Sequence, residues 1–152
     1  DFAPLAEAVS GNGRFLAVTR DARRDRNDIF IFDRQTGDTT PFLTTEYDED
    51  HPAFSPDGAL LAYAANDTGR SEVYVRPFPG PGAKYAISNQ GGTGPVWSRD
   101  GRELFYSEGH KLMRVAIERS PPAPPSACSR APTSSGSGRA TTTSCPTAAA
   151  SS

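Results

Sequence analysis

Apolar and polar positions alternate through most of the chain, and the alternation stops near its last fifth. Three stretches share one pattern: AVSGNGRFLAV from Ala8, AFSPDGALLAY from Ala53 and VWSRDGRELFY from Val96. In each, an apolar residue and a serine (Val9-Ser10, Phe54-Ser55, Trp97-Ser98) precede an Asx-Gly pair. The pairs are Asn12-Gly13, Asp57-Gly58 and Asp100-Gly101. Asx-Gly between apolar runs signals a hairpin turn, because these residues accept a positive φ that others resist. Pro56 suits the first central position of such a turn. Beyond the turn, Leu16, Leu61 and Leu104 share one offset, and Val18, Tyr63 and Tyr106 stand two residues on. One face therefore repeats with the period of a strand.

A third strand is predicted at Ile29-Phe30-Ile31-Phe32, Val73-Tyr74-Val75 and Leu112-Met113-Arg114-Val115. A weaker fourth follows in the first two units, around Pro41-Phe42-Leu43 and Tyr85-Ala86-Ile87. Pro41 fits an outer edge strand, where a missing N–H is tolerated. No stretch has a helical period, so the reading is all-β. The turn glycines Gly13, Gly58 and Gly101 lie 45 and 43 residues apart. A period near 40–45 with several short strands per unit marks the blades of a β-propeller.

SPDGALLAY, EVYVRPFPGPGAKYAIS and GPVWSRDGRELFY together resemble the TolB-like, WD-repeat-like β-propellers of bacteria. They are most like propellers C-terminal to some bacterial serine/threonine kinases. The resemblance covers nearly all of residues 1–119; the first unit departs from it with Gly11-Asn12 where the motif has Pro-Asp. The expected architecture is a partial propeller of about three blades of antiparallel four-stranded sheet, with units near 1–45, 46–89 and 90–119. A closed ring takes roughly four to eight blades, so three form an open arc with raw sheet edges.

Composition changes this picture in one respect. Leu, Ile, Val and Phe number 25 of 152 residues, few enough to suggest disorder. All 25, with all 14 aromatics and all 18 acids, lie in residues 1–119. Residues 120–152 are almost entirely Ala, Pro, Ser, Thr and Gly, with Cys128, Cys145, Arg130 and Arg139. Such a tract cannot bury apolar surface and reads as a disordered tail. A second reading makes it a blade translated out of frame. Stepping each codon back one base allows LFEGPYLVG across residues 128–136 and RNYDVMPDGRRFL across 140–152, which restores the repeat's own Pro-Asp-Gly turn.

The net charge of −2 argues against coating nucleic acid or binding an anionic membrane. No apolar run approaches the roughly 20 residues of a membrane span. The chain opens on Asp1 with no signal pattern, which reads as a processed product or a fragment. Both cysteines lie in the tail, leaving the redox compartment open.

Candidate chemistry is sparse. No G-x-S-x-G is present, and the two histidines are His51, before a strand, and His110, in a hairpin loop. Ser55 and Ser98 fit local turn hydrogen bonds, so no catalytic residue, cofactor site or metal site is assigned. The one dense group is Tyr47-Asp48-Glu49-Asp50-His51. As a loop feeding an inner strand, Asp48, Glu49, Asp50 and His51 either face the central funnel, meeting a cation or basic partner, or form a solvated charged loop. Arg20 to Arg26 mixes signs within one loop and lacks stacking aromatics, which suits a hairpin tip better than a phosphate site. Gly11-Asn12-Gly13 opens a strand rather than a helix, unlike a dinucleotide fingerprint. PFPGPG (residues 77–82) falls between outer strands, and Trp97 takes the core place of Phe54.

The expected role is non-catalytic protein binding or scaffolding, with a protein or peptide as partner. The resemblance implies the sensor region of a kinase or an extracytoplasmic, TolB-like periplasmic protein. The alternative is the substrate-gating propeller of a prolyl-oligopeptidase-like serine hydrolase. Open edges further predict association with missing blades or with a second copy.

Overall fold

A computed structural model describes residues 5–21 and 26–118 of the chain. These belong to the compact unit Asp1–Arg119. Both readings of the tail, and residues 22–25 of the Arg-rich loop, lie outside the described residues.

Eleven strands form three antiparallel sheets among the described residues. The first holds β1 (Leu5–Val9), β2 (Phe15–Asp21), β3 (Asn27–Asp33) and β4 (Thr39–Leu43) in chain order. The second holds β5 (Glu49–Phe54), β6 (Leu60–Ala65), β7 (Glu72–Pro77) and the short β8 (Tyr85–Ala86). The third holds β9 (Thr93–Trp97), β10 (Glu103–Glu108) and β11 (Lys111–Ala116). The all-β, partial-propeller expectation is thus met, with a fourth strand in two sheets and three strands in the last. The first strands approach one another, β1 against β5 and β5 against β9, so they form the hub of a fan.

One turn is built three times. Ser55 Oγ donates to Asp57 Oδ1 (2.7 Å) and accepts from the Leu60 N–H (3.0 Å), while Asp57 Oδ1 also accepts from the Ala59 N–H (3.0 Å). Ser10 and Asn12 make the same three bonds at 2.7, 2.9 and 3.0 Å. Ser98 and Asp100 make them at 2.7, 2.9 and 3.1 Å. The following glycines sit at φ 71°, 71° and 70° for Gly13, Gly58 and Gly101. A side chain in that region costs about 1–2 kcal/mol, which is why glycine recurs there.

Two clusters hold the sheets together. Between the first two sheets, Ala17, Ile29, Ile31 and Leu43 meet Phe54, Leu61, Tyr63, Tyr74 and Phe78. Phe78 is the centre, with Phe15, Phe42 and Phe54 rings 5.2, 5.6 and 5.0 Å away. The PFPG segment is therefore anchored in a core. Between the second and third sheets, Ala62, Val73 and Val75 meet Leu104 and Tyr106, with Trp97 alongside. Trp97 Nε1 donates to the Ala53 carbonyl at 3.0 Å, joining adjacent sheets. Full burial of one such side chain is worth about 2 kcal/mol.

Candidate functional site

The acidic run does not form one loop. Asp48 precedes the strand, but Glu49, Asp50 and His51 are its first three residues, Glu49 and Asp50 being paired with β6 as Glu49↔Ala65 and Asp50↔Ala64. His51 lies within the strand rather than before it. Asp48 is occupied in joining loops: its Oδ1 accepts from the Asn27 N–H (2.7 Å), and its own N–H donates to Asn66 Oδ1 (2.9 Å).

The ladder is interrupted between Asp50 and Ala53, where His51 adopts φ 50°. That φ is the left-handed region, uncommon for non-glycine residues, although histidine is among those enriched there. Corresponding irregularities occur in the other first strands, between Ala6 and Ala8 and opposite Phe105/Ser107. The last involves Gly94-Pro95, the counterpart of His51-Pro52, with Gly94 at φ 60°. The recurrence of X-Pro three residues before Phe54 and Trp97 was a sequence signal for this kink.

The kink leaves His51 exposed, with Nδ1 2.9 Å from Asp50 Oδ1. The Asp50 hydrogen bond raises the imidazole pKa above its ordinary value against the opposing effect of burial, and the charges of Asp50, Glu7 and Asp48 add to the rise. A negative field therefore covers this part of the hub.

Glu49 points the other way. It is 2 % exposed, so it cannot serve as a contact for a docking partner. Thr45 donates its hydroxyl to Oε1, but Oε2 has no partner. Burial pushes its carboxyl pKa up, and nearby Asp28 adds to this while Thr45 and Arg26 oppose it. Beside Glu49 a cleft of about 250 Å³ opens between the first and second sheets, lined by Leu43, Tyr47, Tyr63, Asp67, Arg76 and Lys84 among others. Asp67 accepts from both the Tyr74 hydroxyl (2.5 Å) and the Lys84 ammonium, which lies 4.1 Å from the Tyr74 ring centre. These cleft residues are spread over four segments, and no local motif announced them. Among the described residues, no group of three or more His, Cys, Asp or Glu is placed to hold a metal ion.

No family model matches the chain, and no curated protein does. Solved structures do. A protein assigned as TolB from Agrobacterium tumefaciens superposes with a TM-score of 0.62 at 21% identity, over 70% of this chain and 38% of that one. TolB from Acinetobacter baumannii gives 0.56 at 17% identity, over 74% of this chain and 28% of that one. The tricorn protease gives 0.53 at 20% identity, over 68% of this chain and 11% of that one. The fold is that of a TolB-like β-propeller segment. The chain spans about a third of the TolB chains it matches, so the three sheets are three blades.

The blade assignment gives the remaining sequence candidates their places. Ser55 is fully buried in its turn, with Ser10 and Ser98 in the equivalent places. Arg20 differs from expectation: it lies in β2 rather than in a loop, with its guanidinium 5.2 Å from the centre of the Phe30 ring. An aromatic therefore does stack there, brought across by the Val18↔Phe30 and Arg20↔Asp28 register of β2 and β3. His110 lies in the β10–β11 hairpin turn. Among the described residues, no helix is long and apolar enough to cross a membrane.

Proposed function

We propose that this segment is a non-catalytic binding module that grips a basic protein or peptide segment at its hub. The observation that carries the reading is the left-handed His51, which turns the Asp50–His51 pair outward from an inner strand. Strain of this kind persists where surrounding structure enforces it, and it clusters at ligand clamps and other functional positions. Glu7, Asp48 and Asp50 supply a local negative field, which favours cationic partners and speeds their encounter at low salt. Parent architectures with a kinase or a periplasmic location belong to this reading.

The test is fluorescence anisotropy of a fluorescein-labelled Lys-rich peptide with the 152-residue chain at two salt concentrations. Binding is expected to weaken with salt and to fall in Asp50→Asn and in Asp48→Asn. Equal affinity for both variants and the parent chain overturns it.

A second reading draws on one observation. A prolyl endopeptidase structure matches with a TM-score of 0.52 at 15% identity, over 79% of this chain and 21% of that one. On this reading the blades gate a catalytic domain elsewhere.

A further inference from the structure

We propose that the cleft between the first and second blades is a small-molecule site for a short zwitterion of dipeptide size, its ammonium at Glu49 and its carboxylate at Arg76.

The site follows from one face of β6. Leu61, Tyr63 and Ala65 alternate along that strand and all join the core shared with the first blade. Residues directly opposite on paired strands share a face. The pairs Ala65↔Glu49 and Leu61↔Arg76 therefore put an acid from β5 and a base from β7 on that face, with Tyr63 between them along β6. All three side chains line the cleft of about 250 Å³.

Each of the three has hydrogen-bonding capacity left over. Glu49 Oε2 and Arg76 Nε are buried and have no partner. Tyr63 is 1 % exposed, and its hydroxyl makes no hydrogen bond among the described residues. Buried polar groups are nearly always paired, so each orphan calls for an explanation. Three orphans on one cleft call for a common one.

The groups are also held apart. Thr45 donates to Glu49 Oε1 and fixes that carboxylate. The Arg76 guanidinium lies 5.3 Å from the centre of the Phe42 ring, and its Nη2 donates to the Gly82 carbonyl at 3.5 Å. Leu61 and Ala65 are four residues apart, roughly 13 Å along a strand. Acid and base thus do not meet, and a molecule lying between them uses both. Asp67 and Lys84, on the same cleft, already satisfy each other and the Tyr74 hydroxyl, so they leave the contacts to the other three.

The order of groups along the cleft reads the ligand. A guanidinium suits a carboxylate, and a carboxylate oxygen suits an ammonium. The Tyr63 hydroxyl, both donor and acceptor, suits a central amide. Drug-sized sites run to roughly 300–1,000 Å³, so this cleft takes something smaller. A protein surface cannot reach Glu49, which separates the site from the Asp50–His51 surface of the hub.

The experiment is an NMR titration of the isotope-labelled 152-residue chain with glycylglycine. Saturable shifts are expected at the Tyr63 and Ala65 amides, with Kd below about 1 mM. N-acetylglycylglycine, which lacks the ammonium, and glycylglycinamide, which lacks the carboxylate, are each expected to bind about tenfold more weakly or worse. Glu49→Gln and Arg76→Gln are expected to lose glycylglycine by a similar factor while keeping the parent's circular dichroism. If Arg76→Gln fails to fold, the blocked ligands on the parent chain decide. No saturable shift up to about 50 mM overturns the proposal and leaves the three groups to buried water. Equal binding of the blocked forms overturns it too, as do shifts confined to residues outside the cleft.

Discussion

His51 and Gly94 occupy the same place in successive inner strands, each just before a proline and each in the left-handed region, at φ 50° and 60°. The third blade meets the backbone demand with the residue suited to it. The second meets it with a histidine, whose imidazole is thereby turned out of the sheet beside Asp50.

Substitution by glycine tests what the histidine is for. An L-residue in this region costs about 1–2 kcal/mol, and glycine in a strand costs roughly 0.5–1 kcal/mol. His51→Gly is therefore expected to leave stability level or raise it by about 1 kcal/mol. A β-branched residue has no relief, so His51→Val is expected to be less stable than the parent. Urea unfolding of the three proteins measures both differences.

The imidazole should titrate above its ordinary value of 6.5. A raised folded-state pKa contributes stability below the unfolded value and loses it as pH rises through the folded one. Asp50→Asn removes the chief cause and is expected to bring the midpoint back toward 6.5. NMR titration of the His51 ring protons reads this directly.

Glu49 and Glu72 share one cross-strand row, through Ala65, yet hold protons differently. Both are 2 % exposed. Burial pushes each upward, but Glu72 is pulled below the ordinary range by donors from Ser88, Arg70 and the Gly91 N–H. Glu49 has Thr45 and an unpartnered Oε2, and stays raised. Its contribution is therefore favourable only in acid and is lost as pH rises. Glu49→Gln is expected to raise the melting temperature at pH 7, with the gain closing toward pH 4. Glu72 contributes above the unfolded carboxylate value and loses it on acidification. Glu72→Gln is expected to lose about 1.5–3 kcal/mol at neutral pH, the usual worth of a hydrogen bond to charge. Thermal melts at both pH values test the opposite signs.

Trp97→Phe keeps the ring and removes the bond to the Ala53 carbonyl. A loss of about 1 kcal/mol is expected. Trp97 is the sole tryptophan, so its fluorescence reports the seam between the second and third blades in the parent chain.

The strands and turns were legible because their causes are local. Ser98, Asp100 and Gly101 satisfy one another within four residues, and the alternation of Leu104 and Tyr106 names the buried face. The candidate site was legible only as a cluster of charge. Asp50 and His51 lie at the surface of the hub as a polar run suggests, but Glu49 turns inward because a strand sends neighbours to opposite faces. The contrast between Glu49 and Glu72 depends on Ser88 and Gly91, 16 and 19 residues beyond Glu72, which no local pattern conveys. The cleft beside Tyr63 likewise exists only once two blades meet.

The Ser-Asx-Gly turn draws every bond it needs from its own hairpin. A duplicated stretch of this chain would thus arrive with its hairpin already specified, leaving only the side chains of its two faces to be refitted to new neighbours. Where each unit folds on local terms and meets only adjacent units, stability grows approximately as a sum over units and seams. Such a scaffold can change its number of units by copying, without redesigning any of them.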